Sequence, residues 1–189
     1  QLAYQYQVDK QALSDLLDAL AILESHKNPT IVNKEIGAGL YQLEIGIEEG
    51  GFTRLKKARN AAAFVAPDWL KIVYAQAQQN GNSFDASQLD VDQQNFIMAV
   101  YILEDNPGVI NDISQATDLD AKIDIMLNYW VDSHWKGHIG KPNETKLRTE
   151  KKENGRLRIN QYYQGLGGNI KYDKDWLGLM DQISPTFNM

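Results

Sequence analysis

Residues 9–25, with the sequence DKQALSDLLDALAILES, predict a long and largely buried helix. The apolar residues of this stretch recur at the spacing of one helix face. They are Ala12, Leu13, Leu16, Leu17, Ala19, Leu20, Ile22 and Leu23. The pair Asn28-Pro29 ends the helix, because a proline disfavours helical geometry in the residue before it. We therefore expect Glu24 at the end of this helix, beside a loop.

The rest of the chain predicts a fold of the mainly α class. Helical spacing or helix caps mark five further segments: residues 53–65, a helix opened by Pro67, residues 91–103, residues 109–116 and residues 120–134. Asp90 is placed to cap the segment 91–103, and Gln94 lies close to the position that completes a capping box. A short strand or an irregular turn is expected over residues 40–47.

The chain of 189 residues fits one domain with an appendage. Residues 1–150 form the predicted domain, and residues 151–189 form a C-terminal extension. The segment 141–158 is rich in charged and polar residues and is expected at the surface. The segment 161–189 regains aromatic and aliphatic residues, so we expect it to dock on the domain or on a partner.

Composition excludes several classes of function. With 19 basic and 25 acidic residues the formal charge is −6, which argues against nonspecific electrostatic binding to nucleic acid or to an anionic membrane. The chain has no cysteine, so it carries neither a disulfide framework nor a cysteine-ligated metal. No window approaches the roughly 18 apolar residues that a membrane span needs.

Glu24 is the leading candidate for chemistry. Cleaving a glycosidic bond requires a proton donor, and a carboxylic acid serves near neutral pH only when water-poor surroundings raise its pKa. The end of an apolar helix, facing a cleft, is such a place. The alternative is that Glu24 is a solvated acid in the last helical turn. Glu44 is the candidate second carboxylate, and an ion-pair role inside the fold is equally compatible with the sequence.

Two signatures resemble a known group of enzymes. The pattern Glu24-Ser25-x-x-Asn28-Pro29, followed by residues 39–43 with the sequence GLYQL, resembles the Glu-Ser and Gly-Leu-Met-Gln signatures of lytic transglycosylases and goose-type lysozymes. Tyr41 stands where that pattern commonly has Met. The resemblance implies a lysozyme-like fold in which Glu24 is the general acid and base and Ser25 supports it. It also implies that Gln42 and the neighbouring backbone line the sugar subsites.

A wider resemblance includes lysozyme-like proteins of tailed phages. It rests on residues 39–46, 59–62, 93–96 and 130–137. It implies cleavage of the β-1,4 bond between N-acetylmuramic acid and N-acetylglucosamine, without a cofactor. The partners implied are peptidoglycan glycan strands and, through the C-terminal segment, other virion proteins. The protein would act in the phage virion or after release to the bacterial cell wall or periplasm.

Three aromatic or imidazole side chains are further candidates for substrate binding. Tyr41, on a glycine-flanked turn, is expected to be exposed to substrate, and His134 and Trp135 are expected in the cleft wall, where Trp135 can stack on a sugar face. His134 and His138 stand four apart, as in some metal sites. Gly137 is expected to end the helix between them, however, and no carboxylate stands at a zincin-like position, so no metal site is predicted.

Several alternatives stay open at this stage. The enzyme can be a hydrolase or a lytic transglycosylase, since the separation of the carboxyl groups is not encoded in the spacing. A different class is a non-enzymatic structural virion protein on a lysozyme-like scaffold. A third is a helical regulatory or nucleic-acid-associated module, against which the acidic charge argues.

Overall fold

The structure, a computed structural model, describes residues 2–33, 37–45, 50–136 and 138–165, with side chains up to Tyr162. It confirms the mainly α fold class. The elements in chain order are α1 (Leu2–Gln5), α2 (Lys10–Ser25), β1 (Val32–Asn33), β2 (Gly37–Ala38), α3 (Gly51–Asn60), α4 (Asp68–Gln79), α5 (Val91–Asp105), α6 (Gly108–Gln115), α7 (Leu119–Tyr129), a π-helical turn (Trp130–Trp135) and α8 (Glu144–Gly165). No helix in these ranges has the length and apolar character needed to cross a membrane.

Helix α2 is the centre of the core, as its sequence predicts. Asp9 caps its start by accepting a hydrogen bond from the backbone N–H of Ala12 at 2.7 Å. Its end is closed by His26, whose left-handed backbone (φ 51°) turns the chain out of the helix. The apolar side chains of α2 are almost wholly buried, and the helix packs against α1, α5, α6 and α8. Glu24 therefore projects from a helix that the rest of the fold holds in place.

After α2 and the short β1–β2 pair, the chain forms a tight turn, which is the second of the two alternatives considered for residues 40–47. Strands β1 and β2 pair antiparallel, and beyond them only Leu43 bridges back to Ala38. Gly39 (φ 75°) and Gln42 (φ 46°) take left-handed backbone conformations, which cannot continue a strand. Within residues 40–45 the irregular turn, and not the strand, is therefore the correct alternative, and residues 46–47 lie outside the described part.

Gln94, on α5, fastens this turn to the core. Its side chain is buried, accepts from the backbone N–H of Leu40 at 2.7 Å, and donates to the carbonyls of Pro29 (3.0 Å) and Leu89 (2.9 Å). A Cβ on Gly39 would lie 2.3 Å from the Gln94 Oε1 atom, so the close approach requires glycine there. Gln93, and not Gln94, completes the capping box with Asp90.

Two predicted helices end earlier than expected. Helix α3 stops at Asn60, short of residue 65, and α7 stops at Tyr129. The chain from Trp130 to Trp135 continues as a wider π-helical turn and ends at Lys136 in a left-handed conformation (φ 53°). Such turns reposition side chains relative to a regular helix and are frequent at functional sites.

Helix α8 crosses the predicted boundary between residues 150 and 151 without a break. Gly155 lies so close to the core that a Cβ there would stand 2.7 Å from the Trp130 ring and 2.8 Å from Leu127. Ile159 is buried, and the Arg158 guanidinium donates to the Leu23 carbonyl at 2.7 Å. Part of the segment expected at the surface is thus docked on the core. The predicted docking of residues 161–189 lies mostly outside the described residues.

Candidate functional site

A cavity of about 410 Å³ opens beside the end of α2. Five residues proposed from the sequence line it: Glu24, Gln42, Glu44, His134 and Trp135. These residues come from three separate parts of the chain, namely the end of α2, the turn after β2 and the π-helical turn. The fold therefore brings together most of the predicted site.

Glu24 is a shielded carboxyl group with one side towards the cavity. Its side chain is only 16% exposed, and the Trp130 indole N–H donates a hydrogen bond to its Oε1 atom. Burial raises the pKa of Glu24 above the usual carboxyl value, while the Trp130 hydrogen bond and the charges of Lys151, Arg158 and Arg54 act to lower it. Burial prevails, so Glu24 holds its proton to a higher pH than a solvated acid does.

His134 stands next to Glu24 as a neutral imidazole. Burial, together with the positive charge of Arg54, lowers the pKa of His134 to about 3. Its Nε2 atom lies 3.2 Å from the Tyr41 carbonyl, and its Nδ1 atom lies 3.5 Å from the Arg54 Nη2 atom. Because a guanidinium only donates, the proton belongs on Nε2. The 3.7 Å approach of Nε2 to the Glu24 carboxyl is therefore a contact with a neutral ring and not an ion pair.

Helix α8 contacts the π-helical turn and stabilises it. Arg148 binds the Asp132 carboxylate in a bidentate manner, with its Nε atom 2.9 Å from Oδ1 and its Nη2 atom 2.7 Å from Oδ2. The guanidinium of Arg148 lowers the pKa of Asp132, which keeps the pair charged. One turn further along α8, the Lys151 ammonium lies 4.6 Å from the ring centres of both Trp130 and Trp135. These contacts fix the indole that holds Glu24.

Gln42 and Glu44 reach the cavity from the turn after β2. Gln42 is half-buried and donates from Nε2 to the Gly39 carbonyl at 3.2 Å. Glu44 is exposed and lies against Gly50, where an added Cβ would come within 2.7 Å of the carboxylate Oε2 atom. Glu44 makes no ion pair with any other residue of the described part, so the ion-pair role considered for it has no support there.

The side chains of Ser25, expected to support Glu24, and of Tyr41, expected to be exposed to substrate, do not line the cavity. The Ser25 hydroxyl is buried and donates to the Ala21 carbonyl at 3.0 Å, one turn back in α2. The Tyr41 ring is 1% exposed, and its hydroxyl donates to Asn95 at 2.5 Å. Tyr41 faces the core because the turn from Gly39 to Gln42 directs its side chain inward. It contributes to the site through its carbonyl, which positions His134.

Several cavity residues were not predicted. They are Gly50, Thr53, Arg54, Tyr101, Ser133 and Lys136. Arg54 in particular lies on α3, 80 positions before the histidine it contacts. No short motif joins residues at that distance, so the contact between Arg54 and His134 is visible only in the folded chain. Trp130 is fully buried, yet its indole also holds the Glu24 carboxyl.

The two histidines four apart have different partners. The His138 Nε2 atom lies 3.3 Å from an Asp132 carboxylate oxygen, whereas the His134 Nε2 atom contacts the Tyr41 carbonyl. Among the described residues, no group of three or more histidine, cysteine, aspartate or glutamate side chains is arranged to hold a metal ion.

The cavity combines a carboxyl whose pKa is raised by burial, a neutral imidazole and a guanidinium around one space. No protein-family model matches the chain, and neither a curated protein nor a solved structure is significantly similar to it. The chemistry therefore follows from the geometry. A shielded carboxyl whose pKa is raised can act as a general acid on a ligand oxygen in the cavity.

Proposed function

We propose that the protein is a peptidoglycan-degrading glycosidase that cleaves the β-1,4 bond between N-acetylmuramic acid and N-acetylglucosamine. The observation that carries the proposal is the Glu24 carboxyl, whose pKa is raised by burial where the cavity opens. The resemblance of residues 24–43 to the signatures of lytic transglycosylases and goose-type lysozymes supports the choice of substrate. Acting at the cell wall, from a phage virion or after release, belongs to the same proposal.

Glu24 is the proton donor of the proposed reaction. Its protonated carboxyl transfers the proton to the bridging oxygen as the glycosidic bond breaks. The carboxylate that results is a better acceptor for the Trp130 indole N–H, and it lies among the positive charges of Arg54, Lys151 and Arg158. These groups limit the cost of charging a buried acid, so Glu24 can release its proton and take one back.

The product of the reaction depends on which group attacks the sugar cation that remains when the glycosidic bond breaks. Glu44, at the cavity, can accept a proton from a water molecule that attacks the sugar, or it can attack the sugar carbon itself to form a glycosyl ester that water then cleaves; either route gives a hydrolase. If an oxygen of the muramic acid residue attacks instead, the product is an anhydro sugar and the enzyme is a lytic transglycosylase. Gln42 and Trp135 offer an amide and an aromatic surface to the neighbouring sugars.

A zymogram on purified peptidoglycan tests the proposal, with the wild type, Glu24→Gln and Glu150→Gln compared at equal amounts. Glu150 is a half-exposed glutamate on α8 that does not line the cavity, so its substitution is a matched control. We expect clearing by the wild type and Glu150→Gln and none by Glu24→Gln, with all three folded by circular dichroism. Absence of clearing by the wild type would favour the structural virion protein, and clearing by Glu24→Gln would remove Glu24 from the mechanism.

A further inference from the structure

Arg54 is a positive charge at the cavity that lacks a carboxylate partner in the described part of the chain. Its side chain is partly buried, and its Nε–H is fully buried with no hydrogen-bond acceptor among the described residues. The guanidinium carbon lies 4.9 Å from the centre of the Tyr101 ring, and Nη2 contacts the neutral His134 ring. A guanidinium held in this way has unused donors, and carboxylate or phosphate oxygens are the groups that such donors bind best.

Lys57, one turn further along α3, is a neighbouring cation that has a carboxylate partner. Its ammonium lies 5.0 Å from the same Tyr101 ring, but it is paired with Asp105 at 2.7 Å and does not line the cavity. Of these two neighbouring cations, only Lys57 has a carboxylate partner within the described residues, and Arg54 is the one that lines the cavity.

His134 links Arg54 to the proposed proton donor. One imidazole nitrogen contacts Arg54 at 3.5 Å, and the other lies 3.7 Å from the Glu24 carboxyl. The Arg54 guanidinium and the Glu24 carboxyl therefore flank a single ring, and Lys136 adds a second cation to the cavity lining. A sugar whose glycosidic oxygen is near Glu24 would place its own substituents within reach of Arg54.

We propose that Arg54 binds a carboxylate carried by the substrate sugar, so that the cavity selects an acidic glycan over a neutral one. This inference rests on the proposed function and names the substrate group that the site recognises. A carboxylate near the scissile bond of peptidoglycan has two sources. One is the lactyl group of muramic acid where the stem peptide has been removed, and the other is the stem peptide itself. The binding chemistry is the same for both.

The test is a titration of tryptophan fluorescence, with Trp130 and Trp135 as reporters at the cavity. All proteins carry Glu24→Gln to prevent turnover. Three ligands are compared: peptide-free glycan strands with free lactyl groups, strands with intact stem peptides, and neutral chitooligosaccharides of matched length. The added variants are Arg54→Gln, Arg54→Lys, which keeps the charge without the guanidinium, and Lys57→Gln, the matched control.

We expect Arg54→Gln to weaken binding of at least one acidic ligand by about tenfold or more, in line with the loss of a charge-assisted hydrogen bond. Binding of chitooligosaccharide should change by less than about twofold, since the neutral sugar offers no carboxylate. Arg54→Lys should bind with intermediate affinity, and Lys57→Gln should behave as the parent protein. The acidic ligand that loses affinity identifies the source of the carboxylate.

Two results would overturn the proposal. One is equal weakening of all three ligands by Arg54→Gln while Arg54→Lys restores none of it, which would show that Arg54 only supports the cavity wall. The other is no weakening of either acidic ligand. A wild type that fails to clear peptidoglycan refutes the proposed reaction. The fluorescence titration measures binding without turnover, so it still decides whether Arg54 binds a carboxylate of the glycan.

Discussion

Replacing Gln94 with leucine should destabilise the protein by several kcal/mol while keeping the size of the side chain. Gln94 makes three hydrogen bonds from a buried position: one from the Leu40 N–H and two to the carbonyls of Pro29 and Leu89. Leucine makes none of them. The segment that loses its attachment is the turn that presents Gln42 to the cavity.

The magnitude follows from those three bonds. Each contributes about 0.5–1.5 kcal/mol net to stability, so their loss costs about 1.5–4.5 kcal/mol. The Leu40 N–H is buried and has no water to replace its partner, which places the expected value in the upper half of that range. Burial of the apolar leucine side chain recovers a little of this free energy. Leucine is branched where glutamine is not, however, and cannot occupy the same space beside Gly39.

Urea unfolding of Gln94→Leu and Gln93→Leu measures the effect against a neighbouring control. The Gln93 side chain accepts one hydrogen bond, from the Asp90 N–H in the capping box, at an exposed position. Losing this hydrogen bond should cost no more than about 1 kcal/mol. The free energy of unfolding should therefore fall at least twice as far for Gln94→Leu. Equal losses for the two variants would refute the idea that Gln94 holds the turn.

Two further predictions concern Glu24 and Gly155. Since burial raises the pKa of Glu24 in the folded state, ionising this group opposes folding, so Glu24→Gln should be more stable than the wild type at neutral pH. Thermal unfolding should show that gain shrinking as the pH falls towards the ordinary carboxyl pKa and vanishing below it; a gain that persists there would contradict the assigned shift. Gly155→Ala gains about 1 kcal/mol of helix propensity but overpacks Trp130 at a cost of about 1–3 kcal/mol. Urea unfolding should show a net loss of up to about 2 kcal/mol, and a stabilised variant would show that α8 can move away from the core.

The sequence predicted the elements whose signals are local. The leucine spacing of α2 and the stop before Pro29 act within one or two helical turns, and the structure has the helix where expected. The sequence left a strand and an irregular turn open over residues 40–47, because alternation of apolar residues says nothing about left-handed backbone. Gly39 and Gln42 adopt that backbone, and Gln94, more than fifty residues away, stabilises the turn by accepting from the Leu40 N–H.

The residues of the candidate site differ in the same way: some are marked by local motifs, and others come together only in the folded chain. Glu24 and Gln42 could be named from short motifs, and both line the cavity. The prediction for Tyr41 failed because flanking glycines indicate a turn but not which way its side chain points. Arg54 could not be named at all, since its relation to the site comes from helix packing between distant segments.

The charges around Glu24 show why the site cannot belong to residues 1–150 alone. Burial raises its pKa, and the cations that oppose this effect are Lys151, Arg158 and Arg54, in the order of their influence. The first two belong to α8 beyond residue 150, as does Gly155, against which the Trp130 indole is packed. A chain ending at residue 150 would leave Trp130 unsupported and Glu24 with Arg54 as the only one of the three cations. The residues that surround Glu24 therefore extend at least to Arg158, so the first part of the predicted C-terminal extension, residues 151–158, supports the candidate site.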